Sequence, residues 1–262
     1  MGRAYEVTGA ERTGDWVVSC DHATNIVPGS VNGGDLGLPP CDMARHIAYD
    51  VGAEGVALAL GEALGAPVVA SRFSRLVIDP NRGEDDPTLL MRIYDGSIIP
   101  ANRHADAAEV ARRLDAFHRP YHGALAELMA ARAAPVLVSV HSFTPQLAGR
   151  AMRPWQIGVL SAADRRLSEG LIAALNAPDF AAWVEDISGA PLRIGDNQPY
   201  SGHLPGDAVD RHALAQGHLN TLIEIRNDLI ATPAQQAAWG ARLAPLLRRA
   251  LHDAGEDRQP MS

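Results

Sequence analysis

Cysteine is nearly absent: Cys20 and Cys41 are the only two in 262 residues. Two cysteines cannot staple a chain of this size, and they do not form the CxxC pair of zinc or redox motifs, so both are expected as reduced, mostly buried thiols. Long apolar runs are missing as well. No stretch approaches the ~20 residues that span a bilayer, and the opening Met1-Gly2-Arg3-Ala4-Tyr5-Glu6 has no apolar core of the secretory kind. A soluble, cytoplasmic protein is expected. Positive charge is in deficit too, with 23 Lys and Arg against 31 Asp and Glu and a formal charge of −8. This balance argues against nucleic acid or a membrane surface as partner. A small acidic substrate would have to meet a few arginines inside a pocket. Neither HExxH nor HxH occurs, and there is no GxSxG. Neither cysteine has a neighbouring acid–base pair, which sets a serine or cysteine amidase aside.

What is present is ample apolar material. Hydrophobic residues make up 47% of the chain, enough for one continuous core, and residues 1–262 suit a single large α/β domain. Residues 15–21 read as a short buried strand, and residues 23–40, rich in Gly, Pro and Asn, as a long loop of the kind that carries function. From Asp42 to about Leu64, Ile47, Val51, Val56, Leu60 and Leu64 fall near a 3.6 period, which predicts one helix closed by Gly65. Residues 67–70 and 76–78 read as strands and 103–132 as helix. Residues 135–140 form the clearest buried strand, and 156–160 another, followed by helix to about Asn176. Residues 188–207 are irregular, 220–226 a strand, and Thr232-Pro233 opens a C-terminal helix with proline at its first position. Strand and helix alternate without repeats, which predicts one three-layer α/β domain.

Three of these strands deliver ligand-type side chains at their carboxyl ends: Cys20-Asp21-His22, Ser139-Val140-His141-Ser142 and Ile223-Glu224-Ile225-Arg226-Asn227. Ligands of open α/β sheets bind beyond such ends. His22 and His141, completed by a carboxylate and a water, would have the composition of a catalytic zinc site, where the ion polarises a carbonyl and lowers the pKa of water. Each histidine alone reads equally well as an ordinary hydrogen-bonding residue. Alternation turns Glu224 away from Ile223 and Ile225, making it a candidate general base or else a partner of Arg226. His46 and Asp50, four apart on the expected helix, share one face. Asp50 then offers a metal-binding carboxylate supported by His46, or both belong to a solvated face. Arg72, Arg75 and Arg82 lie within eleven residues, and Pro80 fixes the turn before Arg82. Guanidinium groups grip carboxylates at two points, although pairing with Asp85, Asp86 or Asp95 is the alternative.

Taken together, Asp21-His22-Ala23-Thr24-Asn25 with Pro28, the run from Ser74 to Arg82, His141-Ser142-Phe143 and Glu224-Ile225-Arg226-Asn227 resemble the N-formylglutamate amidohydrolase family, in its order, over roughly residues 15–230. That family is related in fold to zinc carboxypeptidases and aspartoacylase-type deacylases. The resemblance implies a phosphorylase/hydrolase-like α/β/α fold with a mixed eight-stranded sheet, one zinc ion (Zn2+) and hydrolysis of an N-acyl amino acid. His22 and His141 match the metal histidines, Glu224 the catalytic glutamate, and Asn81 and Arg82 the pair that holds substrate. Arg75 joins that clamp, Asn197 in Asn-x-Pro-Tyr looks like a pocket residue, and Arg226 completes the substrate-binding set.

One departure is clear. The carboxypeptidase pattern HxxE places a glutamate where this chain has Asn25, a poor zinc ligand, so the resemblance gives the third metal position to Asp50. The first loop also differs from the Pro-His-Ser/Val-Gly run of typical members, which suggests a side branch. The implied reaction converts N-formyl-L-glutamate to formate and L-glutamate, the last step of one histidine-degradation route. The alternatives are a related amidohydrolase of another N-acyl amino acid or small acidic amide, or a non-catalytic anion-binding homologue, which Asn25 favours.

Overall fold

Residues 3–256 are described in the computed structural model. In chain order they form β1 (Tyr5–Thr8), β2 (Trp16–Cys20), α1 (Pro40–Met43), α2 (Ala53–Leu64) and β3 (Val68–Ser71). A hairpin of β4 (Ile93–Tyr94) and β5 (Ser97–Ile98) follows. Next come α3 (Ala107–Arg113) and α4 (Arg119–Ala130), joined by a π-helical turn at Leu114–His118. The rest comprises β6 (Val136–Phe143), β7 (Ile157–Leu160), α5 (Arg166–Leu175), α6 (Pro178–Ser188), β8 (Ile194–Asp196), α7 (Ala208–His212), β9 (Leu219–Arg226) and α8 (Pro233–Glu256).

The main sheet runs β1-β3-β2-β6-β9-β7-β8. Its centre, β3-β2-β6-β9, is parallel, while β1 and β7 pair antiparallel with β3 and β9. The sheet is therefore mixed, with seven strands among the described residues where the resemblance implied eight. β2, β6 and β9 are buried almost throughout, as parallel strands covered on both faces must be. Their alternation makes two cores. Trp16, Val18 and Cys20 of β2 and Val136, Val138 and Val140 of β6 face a layer built from α2, α5, α6 and α8. Val17 and Leu137 face the opposite layer, which holds the 73–78 segment, α4 and α7. Three layers result. Ser139 and His141 follow Leu137 at intervals of two, and Glu224 follows Leu222, so these polar side chains emerge on the second face.

Two expectations give way. The helix over 42–64 is broken: α1 ends at Met43, residues 44–52 form turns, and Gly52 before α2 takes φ +80°, where a side chain would meet the Ile230 carbonyl at 2.2 Å. His46 and Asp50 therefore share no helical face; Asp50 sits in a turn whose N–H donates to the His22 carbonyl at 2.9 Å. Residues 76–78 are buried without being a strand. The Leu76 and Val77 carbonyls accept from Asn102 Nδ2 (2.7 Å) and Arg113 Nη1 (2.8 Å), so side chains satisfy what a neighbouring strand would otherwise satisfy. The run becomes a turn that carries Arg75 to Arg82. No helix of the described residues is long and apolar enough to cross a membrane.

Candidate active site

The cleft with the chemistry opens on the second face, beyond the carboxyl ends of β2, β6 and β9. It has a volume of about 270 Å³ and is lined by His22, Asp50, Asn81, Arg82, His141 and Glu224, among others. β2 ends at Cys20, so Asp21 and His22 are the first residues past the strand. β6 and β9 run in register with His141 opposite Glu224. His22, Asp50 and His141 are buried, and each offers a ligand atom within 4.8 Å of the others.

Their orientation is specific. Nδ1 of His22 lies 3.3 Å and Nδ1 of His141 2.8 Å from the same Oδ2 of Asp50. The opposite ring nitrogens are backed by carboxylates. His22 Nε2 lies 2.7 Å from Asp79 Oδ1, and His141 Nε2 lies 3.1 Å from Asp21 Oδ2. Arg75 in turn donates to Asp79 at 2.8 and 3.1 Å, and the Tyr121 hydroxyl donates to Asp21. A carboxylate behind a neutral imidazole holds the ring proton on Nε2 and leaves the Nδ1 lone pair for a metal. Here both Nδ1 atoms converge on one carboxylate oxygen.

The charges fit a divalent cation. Burial opposes ionisation of Asp21, Asp50 and Asp79. Hydrogen bonds and charge from His141 hold Asp21 below the ordinary range, His22 and His141 do so for Asp50, and Arg75 with His22 for Asp79. Burial works against the Arg75 charge as well, but Asp79 keeps it fully protonated. Three carboxylates and one guanidinium leave two negative charges around two imidazoles. Asp21 and Asp50 overcome the effect of burial and push His141 well above its usual value, so a proton takes up part of that excess. The donor set and the charge both suit a dication better.

Across from the imidazoles, burial pushes Glu224 up to about 7, with the Asp50 charge adding to it and His141 offsetting part of it. Glu224 Oε2 and Asn81 Oδ1 are buried without a hydrogen-bond partner among the described residues, and both residues line the cleft. An orphaned buried polar atom costs about 1–3 kcal/mol, so two in one cleft mark a place built for a polar ligand.

Other expected site residues fall differently. Arg82 lines the cleft, with Nε on Thr88 Oγ1 (3.0 Å) and Nη1 on the Asn81 carbonyl (2.7 Å). Arg75 also lines the cleft, and its donors go to Asp79 and, at 3.4 Å, to Asp50, so it braces carboxylates. Arg226 lies outside the cleft lining, paired with Asp228 at 2.8 and 3.1 Å. Asn197 also lies outside it, and its Oδ1 accepts from the Ser161 and Gly202 N–H groups to tie β7 to the following loop. Asn25 donates to the Met43 carbonyl at 2.8 Å, away from the imidazoles. His46 lines the cleft, 3.4 Å from Asp95. Asp21 and Asp79, the braces behind the histidines, had a signal in the sequence: each carboxylate sits beside a strand end or turn that also holds a site residue.

The family model described as N-formylglutamate amidohydrolase matches residues 14–231, which contain every cleft residue named above. The chain belongs to that family. The gene product Atu2144 from Agrobacterium tumefaciens is 36% identical to it, with a TM-score of 0.85 over 97% of both chains. The N-formylglutamate amidohydrolase from Ralstonia eutropha JMP134 shares the fold at a TM-score of 0.64 and 20% identity, over 94% of this chain and 98% of that one. Among curated proteins, none matches the sequence. The N-formylglutamate amidohydrolase fold thus frames a buried His-Asp-His group facing a partnerless glutamate.

Proposed function

We propose that this member of the family is a metal-dependent hydrolase of N-acyl amino acids, with N-formyl-L-glutamate as substrate and formate and L-glutamate as products. The observation that carries the reading is the convergence of two carboxylate-backed Nδ1 atoms on Asp50, directly across from Glu224. His22, Asp50 and His141 would hold one zinc ion. Zinc in such a site supplies Lewis acidity and makes water acidic enough to react near neutral pH.

The chain's own residues account for the rest. Glu224, with a free Oε2 and a pKa near neutrality, takes a proton from the attacking water and returns it to the departing nitrogen. Water oxygen adds to the acyl carbon, the C–N bond breaks, and the amine leaves with the relayed proton. Arg82 meets a substrate carboxylate, and the free Asn81 Oδ1 accepts from a substrate N–H. The buried carboxylates behind the rings keep both imidazoles fixed, so little reorganisation accompanies the reaction. Formate release from N-formyl-L-glutamate, compared with N-acetyl and N-succinyl amino acids, tests the substrate. Release that favours another acyl amino acid moves the assignment within the family. No release from any of them favours an anion-binding homologue.

A further inference from the structure

Behind the Asp79–Arg82 turn lies a second group of histidines, which the proposed reaction does not use. His118 ends the π-helical turn and His122 stands four residues later on α4, their rings 4.4 Å apart. The π-helical turn sets the phase of α4 so that both rings face the Asp79–Arg82 turn. His212 comes from α7. All three are buried. His122 Nε2 lies 2.9 Å from the Pro80 carbonyl, His118 Nε2 lies 3.0 Å from the Arg82 carbonyl, and His122 Nδ1 lies 2.8 Å from His212 Nε2.

Hydrogen-bond logic fixes the protons. A carbonyl only accepts, so His118 and His122 both carry their proton on Nε2. Burial, with the Arg211 charge in support, lowers the His122 pKa to about 2, and burial lowers that of His212 to about 4. A neutral His122 offers only a lone pair at Nδ1, and His212 must donate to it. Donation therefore runs from His212 to His122 to Pro80. From the metal side the same turn is held by Asp79, whose Oδ1 accepts from the Asn81 N–H at 2.9 Å. On the far side α7 begins at Asp207, whose carboxyl lines the cleft. The rings thus brace one wall of the cleft against the other.

We propose that His118, His122 and His212 are positioning residues: His118 holds the Arg82 carbonyl and the His212–His122 relay holds the Pro80 carbonyl, and together they aim Asn81 at a substrate N–H and Arg82 at the substrate carboxylate. The proposal rests on the reading of Asn81 and Arg82 as the substrate clamp.

The test uses the metal-loaded protein and N-formyl-L-glutamate. H122L removes the donor to Pro80; it is expected to raise KM about tenfold, with kcat within about twofold and metal content unchanged. In H122Q an amide N–H replaces the lost donor, and KM is expected to return to within about threefold of wild type. In wild-type protein labelled with 15N-histidine, all three rings are expected as neutral Nε2–H tautomers at pH 6.5. A folded, metal-bound H122L with unchanged KM, or with kcat lowered at fixed KM, would overturn the proposal, as would a proton on His122 Nδ1. Should H122L fail to fold, H212A removes only the outer donor; a few-fold rise in KM supports the relay and none overturns it. A wild-type protein that hydrolyses no N-acyl amino acid defeats the functional reading alone. The Arg82 side-chain NMR signals, ordered in wild type and averaged in H122L or H212A, then decide the positioning role, and unchanged signals overturn it.

Discussion

Glu224 stands directly opposite His141 in the β6–β9 ladder, so one pair of parallel strands sets the separation of the proposed base and a proposed metal ligand. On its other side Glu224 pairs with Gly158 of β7, where a side chain would meet the Gln198 carbonyl at 2.3 Å and Glu224 Cβ at 3.4 Å. The proposed base is thus placed by the sheet, and the glycine beside it leaves room for the Gln198 carbonyl.

Glu224→Gln keeps the shape of the side chain and removes its ability to take a proton. Turnover is expected to fall by about 10²–10⁴-fold, the usual contribution of a general base. Metal content and KM are expected to stay near wild type. Steady-state kinetics beside elemental analysis checks both.

Stability should carry the mark of the same residue. The Glu224 pKa rises from 4.5 to about 7 on folding. Between those values the metal-free native chain keeps a proton that the unfolded chain releases. The contribution of Glu224 to stability therefore falls as pH rises through this window, at a slope approaching about 1.4 kcal/mol per pH unit for one group. Asp207, also raised by burial to about 7, acts in the same direction. Thermal unfolding of metal-free protein from pH 4.5 to 7 is expected to show the Tm of wild type falling relative to that of E224Q, against the rise with pH that the buried, neutral His118, His122 and His212 impose on both proteins. Identical pH profiles in the two proteins would remove Glu224 as a contributor.

Metal binding should release protons. Without an ion, Asp21 and Asp50 hold a proton on His141 well above the usual imidazole range, and ligation at Nδ1 has to displace it. Calorimetric titration with zinc near pH 7, in two buffers of different ionisation enthalpy, is expected to give heats that differ by at least one proton per site. Equal heats would show that His141 does not become a ligand.

Much of this architecture was legible in the sequence. The strands that lead into Asp21-His22 and contain His141 and Glu224 are dense apolar runs, and alternation turned Glu224 away from Ile223 and Ile225, as the structure has it. The segment around Asp50 was harder. Its apolar residues keep a helical period through Val51, yet residues 44–52 are turns, and Gly52, at positive φ and closely approached by Ile230, marks where α2 begins. Residues 76–78 misled in the opposite direction, since their β-branched run is satisfied by Asn102 and Arg113 from distant positions. Arg75 illustrates a further limit. Composition revealed a cationic segment, but only tertiary packing decides that Arg75 serves Asp79 and Asp50 while Arg82 faces the cleft.

That distinction is open to mutation. Arg75→Met removes the brace behind Asp79 and Asp50, and metal affinity is expected to drop about 10–100-fold, as for other groups that orient ligands. Arg82→Lys keeps charge but loses the planar two-point grip, and is expected to raise KM while leaving metal affinity intact. Competition with a metal indicator separates the two. A shift in KM alone from Arg75→Met would restore it to the substrate clamp.

The most direct measurement is the metal content of the purified protein, taken together with formate release before and after chelation. One zinc per chain is expected in wild type and near none in Asp50→Ala, with hydrolysis lost on chelation and recovered when zinc is returned. Metal-free protein that hydrolyses N-formyl-L-glutamate at the full rate would contradict the account.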